Sequence, residues 1–233
     1  MLISKNIEII ETALLINKEI LVINDLHLGY EEALRIKGVL VPKFQLEEIL
    51  KIMKKILARI KPKKIIINGD LKHEFGRVLR QEWKEVLQFL DFLLLRCPKI
   101  IIIKGNHDPI IQPIAEKRGI TVVNEYNIDD ILILHGDVLV KTEANRIIIG
   151  HEHPAIKLHE NSKWEKYKCF LKGAWQGKEL IAVPSFNPLL EGTNILEGHM
   201  LSPFLKRIDG FTVYIVNDGE VFKFGKVRES FYD

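Results

Sequence analysis

Five apolar runs in this 233-residue chain stop at residues that can bind metal or move protons. EILVIN runs into Asp25-Leu-His27, KIIIN into Gly69-Asp70, and KIIIIK into Gly105-Asn106-His107-Asp108. DILIL runs into His135-Gly136-Asp137, and RIII into Gly150-His151-Glu152-His153. These segments hold five of the eight histidines. Asp, Asn and His without Cys make a mixed nitrogen and oxygen donor set, which suits Mn, Fe or Zn, while so much imidazole disfavours Ca. There are more donors than one ion needs. Asp25, His27, Asp70, Asn106, His135, His151 and His153 suit two ions bridged by one carboxylate. Two ions roughly 3.5–4 Å apart clamp the attacking and leaving oxygens of an in-line displacement at phosphorus. The neighbouring glycines let backbone pass close to the ions.

Such residues must be gathered by the elements that precede them. The isoleucine-rich runs read as strands covered on both faces. In KFQLEEILKIMKKILARI, Leu46, Ile49, Leu50, Met53, Ile56, Leu57 and Ile60 recur at helical steps, and Pro62 follows. In RQEWKEVLQFLDFLLLR, Trp83, Val86, Leu87, Leu90 and Leu94 do the same, and Pro98 follows. Strands alternating with helices put the first half in the α/β class, whose ligands bind beyond the carboxyl ends of the strands. IEIIETALLI and EILVIN flank Asn17-Lys18, a hairpin turn. Past about residue 155, YKCFLKGAW, ELIAVPSF and FTVYIVNDGEVFKFGKV read as strands, the last a hairpin turning at Asp218-Gly219. A second sheet is expected rather than a second domain, so residues 1–233 read as one domain. If the chain is extended after RIII, residues two apart point the same way. His151 and His153 would then face the site, with Glu152 turned away.

Composition narrows the class. A net charge of +3, from 34 basic and 31 acidic residues, is too slight to argue a nucleic-acid partner from bulk charge. The start of the chain does not resemble a signal peptide, and no apolar run is long enough for a membrane helix. Cys97 and Cys169 form no paired motif, so the cytoplasm is expected and a membrane partner is not. There is no GxxxxGK[ST], no GxGxxG, and HEHPAI lacks the Asp-His that would complete HxHxDH.

The set DxH, GD, GNHD, HG and GHxH resembles the calcineurin-like metallophosphoesterases, in order and with every position filled. The resemblance implies an α/β (α+β) fold of two mixed β-sheets packed face to face as a sandwich, flanked by helices. It implies two divalent metal ions, with Mn expected and Fe, Zn or Ni as alternatives. One ion would take Asp25, His27 and His153, the other Asn106, His135 and His151, with Asp70 between them. His107 would be the general acid that protonates the leaving oxygen, and Asp108 would keep it oriented and charged. GDLKHEFG, GHEHP and PSFNPLLEGTNI are similar to a compact archaeal and bacterial branch, some of whose members are associated with DNA-repair ligases and helicases. From that branch Asn187 is carried over as a substrate contact. The long capping segment of the double-strand-break nucleases is not seen.

Other residues were weighed beside these. Lys72, His73, Arg77 and Arg80 follow the Asp70 loop and either contact a phosphate chain or solvate a helix start; His73 is the best of them as a substrate-binding residue. Phe75 and Trp83 fit the core of the second helix better than a base-stacking platform. The basic run KIMKKILARIKPKK reads as a solvated face at the pole opposite the metals, and His159 and His199 read as surface or loop. GTNILEGHMLSPFL is either core or interface. The expected function is hydrolysis of a phosphodiester, with nucleic acid among the substrates. The alternatives are a small-molecule or nucleotide phosphomonoesterase and, last, a non-catalytic metal-binding scaffold. The partner is a phosphoester substrate, and the oligomeric state is open, a homodimer included.

Overall fold

A computed structural model describes residues 1–75, 79–160 and 163–227. The first sheet runs in chain order: β1 (Leu2–Ser4), β2 (Ile7–Ile10), β3 (Ala13–Ile16), β4 (Ile20–Asn24), β5 (Lys64–Asn68), β6 (Ile100–Ile103) and β7 (Thr121–Val123). Its first four strands are antiparallel and the rest parallel. The β3–β4 hairpin turns at Asn17 and Lys18, both at positive φ, as a type I′ turn requires. Helices α1 (Tyr30–Ile36), α2 (Gln45–Arg59), α3 (Arg80–Leu94) and α4 (Gln112–Glu116) connect the parallel strands.

The isoleucine runs are apolar on both sides because both sides are covered. Ile65 and Ile67 of β5 lie in a core with Ile49, Met53 and Ile56 of α2 and Val86, Phe89, Leu90 and Leu93 of α3. Ile66 between them points the other way, into a core shared with Ile148, Phe170 and Ile181. Those three belong to the second sheet, which comprises β8 (Glu125–Ile128), β9 (Ile131–Leu134), β10 (Arg146–Ile149), β11 (Pro154–Glu160), β12 (Lys163–Trp175), β13 (Lys178–Ala182), β14 (Thr193–Asn194), β15 (Thr212–Asn217) and β16 (Glu220–Lys226). Asp218 and Gly219 turn the β15–β16 hairpin, both at positive φ. The outer face of this sheet is covered by Ile195, Phe204, Leu205, Ile208 and Phe211. So GTNILEGHMLSPFL is core at Asn194, Ile195, Ser202, Phe204 and Leu205, while Glu197, Gly198, His199 and Leu201 stay exposed.

The architecture is the expected pair of mixed sheets packed face to face, with the longer helices outside the first sheet. Strands β4, β5 and β6 are parallel in one sheet, and β9, β10 and β13 in the other. Their carboxyl ends therefore deliver six loops to one edge of the sandwich, five with donor residues and a sixth, after β13, that carries Ser185 and Asn187. The basic stretch from Lys51 to Lys64 ends where β5 begins, at the opposite pole. Cys97 and Cys169 are free and buried. No helix among the described residues is long and apolar enough to cross a membrane.

Candidate metal centre

The seven donor residues converge into two groups that share a member. Donor atoms of Asp25, His27, Asp70 and His153 lie within 4.8 Å of one another, as do those of Asp70, His135 and His151. In the first group the Nε2 atoms of His27 and His153 lie 3.3 Å apart, and Asp70 Oδ2 is 3.5 Å from His27 Nε2. In the second, His135 Nε2 lies 3.2 Å from His151 Nδ1, 3.4 Å from Asp70 Oδ2 and 2.9 Å from Asn106 Oδ1.

This chemistry fits divalent ions. Imidazole nitrogens at 3.3 Å can share one N–H as a hydrogen bond, but they repel through their lone pairs if both are bare and through their charges if both rings are protonated. A shared cation removes both conflicts. Burial and the neighbouring His153 hold the His27 ring well below its ordinary value, and burial with the His135 charge lowers His151, so both tend to present lone pairs. Burial opposes charging of His135, but the Asp70 and Asp25 carboxylates outweigh it and hold that ring up at about 9. Burial would raise Asp70 too, but its contact with His135 and the charges of His135, His27 and His107 keep it well below the usual carboxylate range.

The backbone bends sharply to bring these atoms together. Asp25, His27, Asp70, His151 and His153 all adopt positive φ, between 43° and 62°, which non-glycine residues seldom do. This corrects the extended reading of the GHxH segment. β10 stops at Ile149, and each histidine sits on its own left-handed turn. Glu152 does point away: it is buried, and its Oε2 accepts from the Ser202 amide at 2.8 Å. Two glycines give the carboxylates room. A Cβ on Gly105 would lie 2.1 Å from Asp70 Oδ1, and one on Gly150 would lie 2.7 Å from Asp25 Oδ2.

His107 lies beside Asp70, its Nε2 3.9 Å from Oδ2 and its amide donating to Oδ1 at 2.9 Å. Its Nδ1 is within a short hydrogen bond of the His73 carbonyl. Asp108 does not orient this ring. Its carboxylate instead accepts from the amides of Leu71, Lys72 and Gly105 and so ties the Asp70 loop to the GNHD loop. Burial and the Asp70 charge push Asp108 up to about 7 against the pull of those amides.

His73 sits behind the first group, its Nδ1 3.4 Å from His27 Nδ1. It thereby orients the His27 ring from the side away from Asp70, and it remains half-buried at the rim. Lys72 is turned from the site and wholly buried, its Nζ on the Glu74 carbonyl and 4.0 Å from Glu82 Oε2. Arg80 is exposed at the start of α3, and Arg77 lies outside the described residues. Asn187 is also sealed in rather than open to substrate. It is 0% exposed; its amide donates to Ser185 Oγ, which donates to the Asp25 carbonyl.

Two contributors carried no signal in the sequence, and a third, Phe75, was expected in the core. Gln45, the first residue of α2, donates to the His27 carbonyl at 2.7 Å. Glu82 of α3 accepts from the amides of His73 and Glu74. Phe75 is 52% exposed rather than core, with its ring centroid 3.9 Å from that of His107. Trp83, by contrast, packs on the helix-side core as expected. Gln45 and Glu82 sit on polar helix positions of ordinary appearance, and only the tertiary fold reveals what they hold.

The sequence profile of the calcineurin-like phosphoesterases matches residues 18–223 of the chain. The chain belongs to the calcineurin-like phosphoesterase family. No curated protein sequence matches it. Among solved structures, this family member is similar to nuclease MPE of Pseudomonas putida at 18% identity, over 90% of each chain, with a TM-score of 0.64. It also matches the E. coli phosphoesterase Yfce at 12% identity, over 88% of this chain and 92% of that one, with a TM-score of 0.42. Vacuolar Protein Sorting 29 from Cryptosporidium parvum matches at 15% identity, over 87% and 93%, with a TM-score of 0.40. The first of these supports the fold of two packed sheets; none of them specifies a substrate.

Proposed function

We propose that the chain is a dinuclear-metal phosphodiesterase. The observation that carries the reading is Asp70, whose carboxylate belongs to both donor groups while its Oδ1 also holds the amide of His107. One ion would be held by Asp25, His27 and His153, the other by Asn106, His135 and His151, with Asp70 bridging. Two divalent ions at such a site would supply positive charge to the phosphoryl oxygens and lower the pKa of an attacking water. Mn is the expected ion from the family resemblance, and the donor set also suits Fe or Zn.

The remaining work falls to the chain's own residues. His107 Nδ1–H donates to the His73 carbonyl, which fixes the ring and leaves Nε2 to carry the transferable proton. That proton passes to the leaving oxygen. Phe75 lies against the His107 ring, which places an exposed apolar surface beside the leaving group. The leaving group of a diester is an organic alkoxide, as is that of a monoester, so this surface serves either, and the choice of a diester rests on the similarly folded nuclease. Nucleic acid is the first natural substrate to try, since the similarly folded Pseudomonas putida protein is a nuclease.

The deciding experiment strips the protein of metal, restores Mn²⁺, and compares bis-p-nitrophenyl phosphate with p-nitrophenyl phosphate. Preference for the diester supports the reading, and preference for the monoester replaces it with a phosphomonoesterase. No turnover with two ions bound would leave a scaffold. The His107→Ala variant should keep both ions and lose roughly 10²–10⁴-fold in rate; an unchanged rate would remove His107 from the mechanism.

A further inference from the structure

We infer that the β11–β12 hairpin is a binding arm for single-stranded nucleic acid, leading from the metal loop outward along one face. The inference rests on the phosphodiesterase reading for the chemistry at the arm's base, while the binding itself is independent of turnover.

The arm starts at the site. β11 begins at Pro154, the residue after His153. Leu171 of β12 pairs with Ala182 at the end of β13, and Ala182 pairs with Ile149 at the end of β10. Residues of β12 before Leu171 therefore run on past the strand ends, on the edge where the donor loops gather.

Register then sorts the arm into two unlike faces. Ala155, Lys157 and His159 pair with Lys168, Lys166 and Trp164, so these six share one face. Ile156, Leu158 and Tyr167 share the other and pack on the outer core of the second sheet, with Glu165 among them. The first face thus has three lysines, a histidine and a tryptophan, and no carboxylate of its own. Its inner end is anchored beside the metal loop. Lys168 Nζ donates to the carbonyls of Ser185 and Asn187, and the Ser185 hydroxyl donates to the Asp25 carbonyl.

Trp164 is the feature that needs an occupant. Its side chain is 63% exposed, with Lys157 Nζ 5.3 Å from the ring centroid and the His159 ring 4.9 Å away. An indole left mostly in water, next to cations, offers a stacking surface for a base and charges for the adjoining phosphates. Among the described residues, Lys166 is tied to exposed Glu191, at 3.3 Å, and to the Gly192 carbonyl. A surface ion pair of that kind is weak enough for a phosphate to replace it. Trp164 lies opposite His159, six residues beyond His153, so about 20 Å of extended strand separates it from the donor loop. A substrate reaching both points is a chain of several nucleotides. The spaced cations with an aromatic plane, continuous with a site for phosphodiesters, fit nucleic acid better than a protein partner.

The test follows tryptophan fluorescence of the metal-free full chain during titration with oligothymidylate and, for variants that lack Trp164, the anisotropy of a dye attached to the oligonucleotide. Quenching that weakens with added salt is expected. Lys157→Ala should bind more weakly and reduce the salt slope by about one. Trp164→Leu should bind roughly tenfold more weakly, while Trp164→Phe, which keeps a ring, should lose less. Leu supplies apolar cover to the hairpin but no stacking plane, so equal oligonucleotide binding by the Leu variant would overturn the inference. All three variants should hydrolyse bis-p-nitrophenyl phosphate at the wild-type rate, since that substrate does not reach the arm. Quenching by oligothymidylate without hydrolysis of either substrate would refute the phosphodiesterase reading and leave the arm standing. Hydrolysis of bis-p-nitrophenyl phosphate without salt-sensitive quenching would do the reverse. Quenching by an acidic peptide as strong as that by oligothymidylate would reassign the arm to a protein partner.

Discussion

Asp25, His27, Asp70, His151 and His153 each hold a left-handed backbone. Such conformations persist only where neighbours over-determine them, and Gly105 and Gly150 pack against the Asp70 and Asp25 carboxylates too closely to admit a Cβ. Gly105→Ala should drive Asp70 away from its shared position, because the new Cβ would sit 2.1 Å from Oδ1. The expected result is loss of bound metal by elemental analysis and a rate on bis-p-nitrophenyl phosphate lower by at least ~10²-fold, the scale of an ångström-sized misplacement. Full occupancy and activity would mean that the loop adapts freely. Lys168 gives a pH-dependent prediction. Burial pushes its ammonium from 10.5 down to about 7. The unfolded chain therefore binds more protons than the folded one between those values, and this group's contribution to stability rises with pH across that window. The melting temperature of wild type relative to Lys168→Met should accordingly climb from pH 7 to pH 10.5. A flat difference would show that the amine is not shifted. At this scale the sequence was informative about identity and poor about direction. Asp, Asn and His after each strand announced the donors. Nothing in Gly-Asn-His-Asp indicated that Asp108 would bond to three amides, or that the His73 carbonyl would take the ring of His107.

Helix α3 does more than cover the first sheet. Its buried Glu82 reaches into the loop after Asp70 and collects the amides of His73 and Glu74, which sets the path of the chain toward Phe75. Glu82→Ala would leave both amides without that partner, at a cost of about 1–3 kcal/mol. The variant should retain its metal but turn over bis-p-nitrophenyl phosphate more slowly, through displacement of the His73 carbonyl from His107. Unchanged melting temperature and rate together would refute this role. The long helices were legible because Ile49, Met53 and Ile56, or Val86 and Leu90, repeat at helical steps over four turns. Helix α1 was not, since seven residues carry too little periodicity. Phe75 was misassigned for a related reason: an aromatic beside a helical pattern reads as part of it, and only the loop's path shows the ring turned out against His107.

The two sheets were anticipated from the change of texture near residue 155 and from the family resemblance. Their exact pairing was not, because the thirteen-residue β12 takes partners on both edges and carries on beyond them. The assignment in which each ion draws ligands from both sheets has a thermodynamic consequence. Asp25, His27 and Asn106 follow strands of the first sheet; His135, His151 and His153 follow strands of the second. Ions bound this way favour only the docked state, so each present at a hundred times its Kd should add about 2.7 kcal/mol. For a chain of this length that corresponds to roughly 5–10 °C in melting temperature. A chelator should reverse the gain, and equal melting with and without Mn²⁺ would contradict it. The shared isoleucine core has a further part in this. Ile66, Ile148, Phe170 and Ile181 fix how far one sheet stands from the other, and thereby how far apart the two halves of each ligand set can be. The layer of hydrocarbon between the sheets is in effect the ruler for the width of each donor set, so a methyl group removed there would be read out as a change in chemistry at the sandwich's edge.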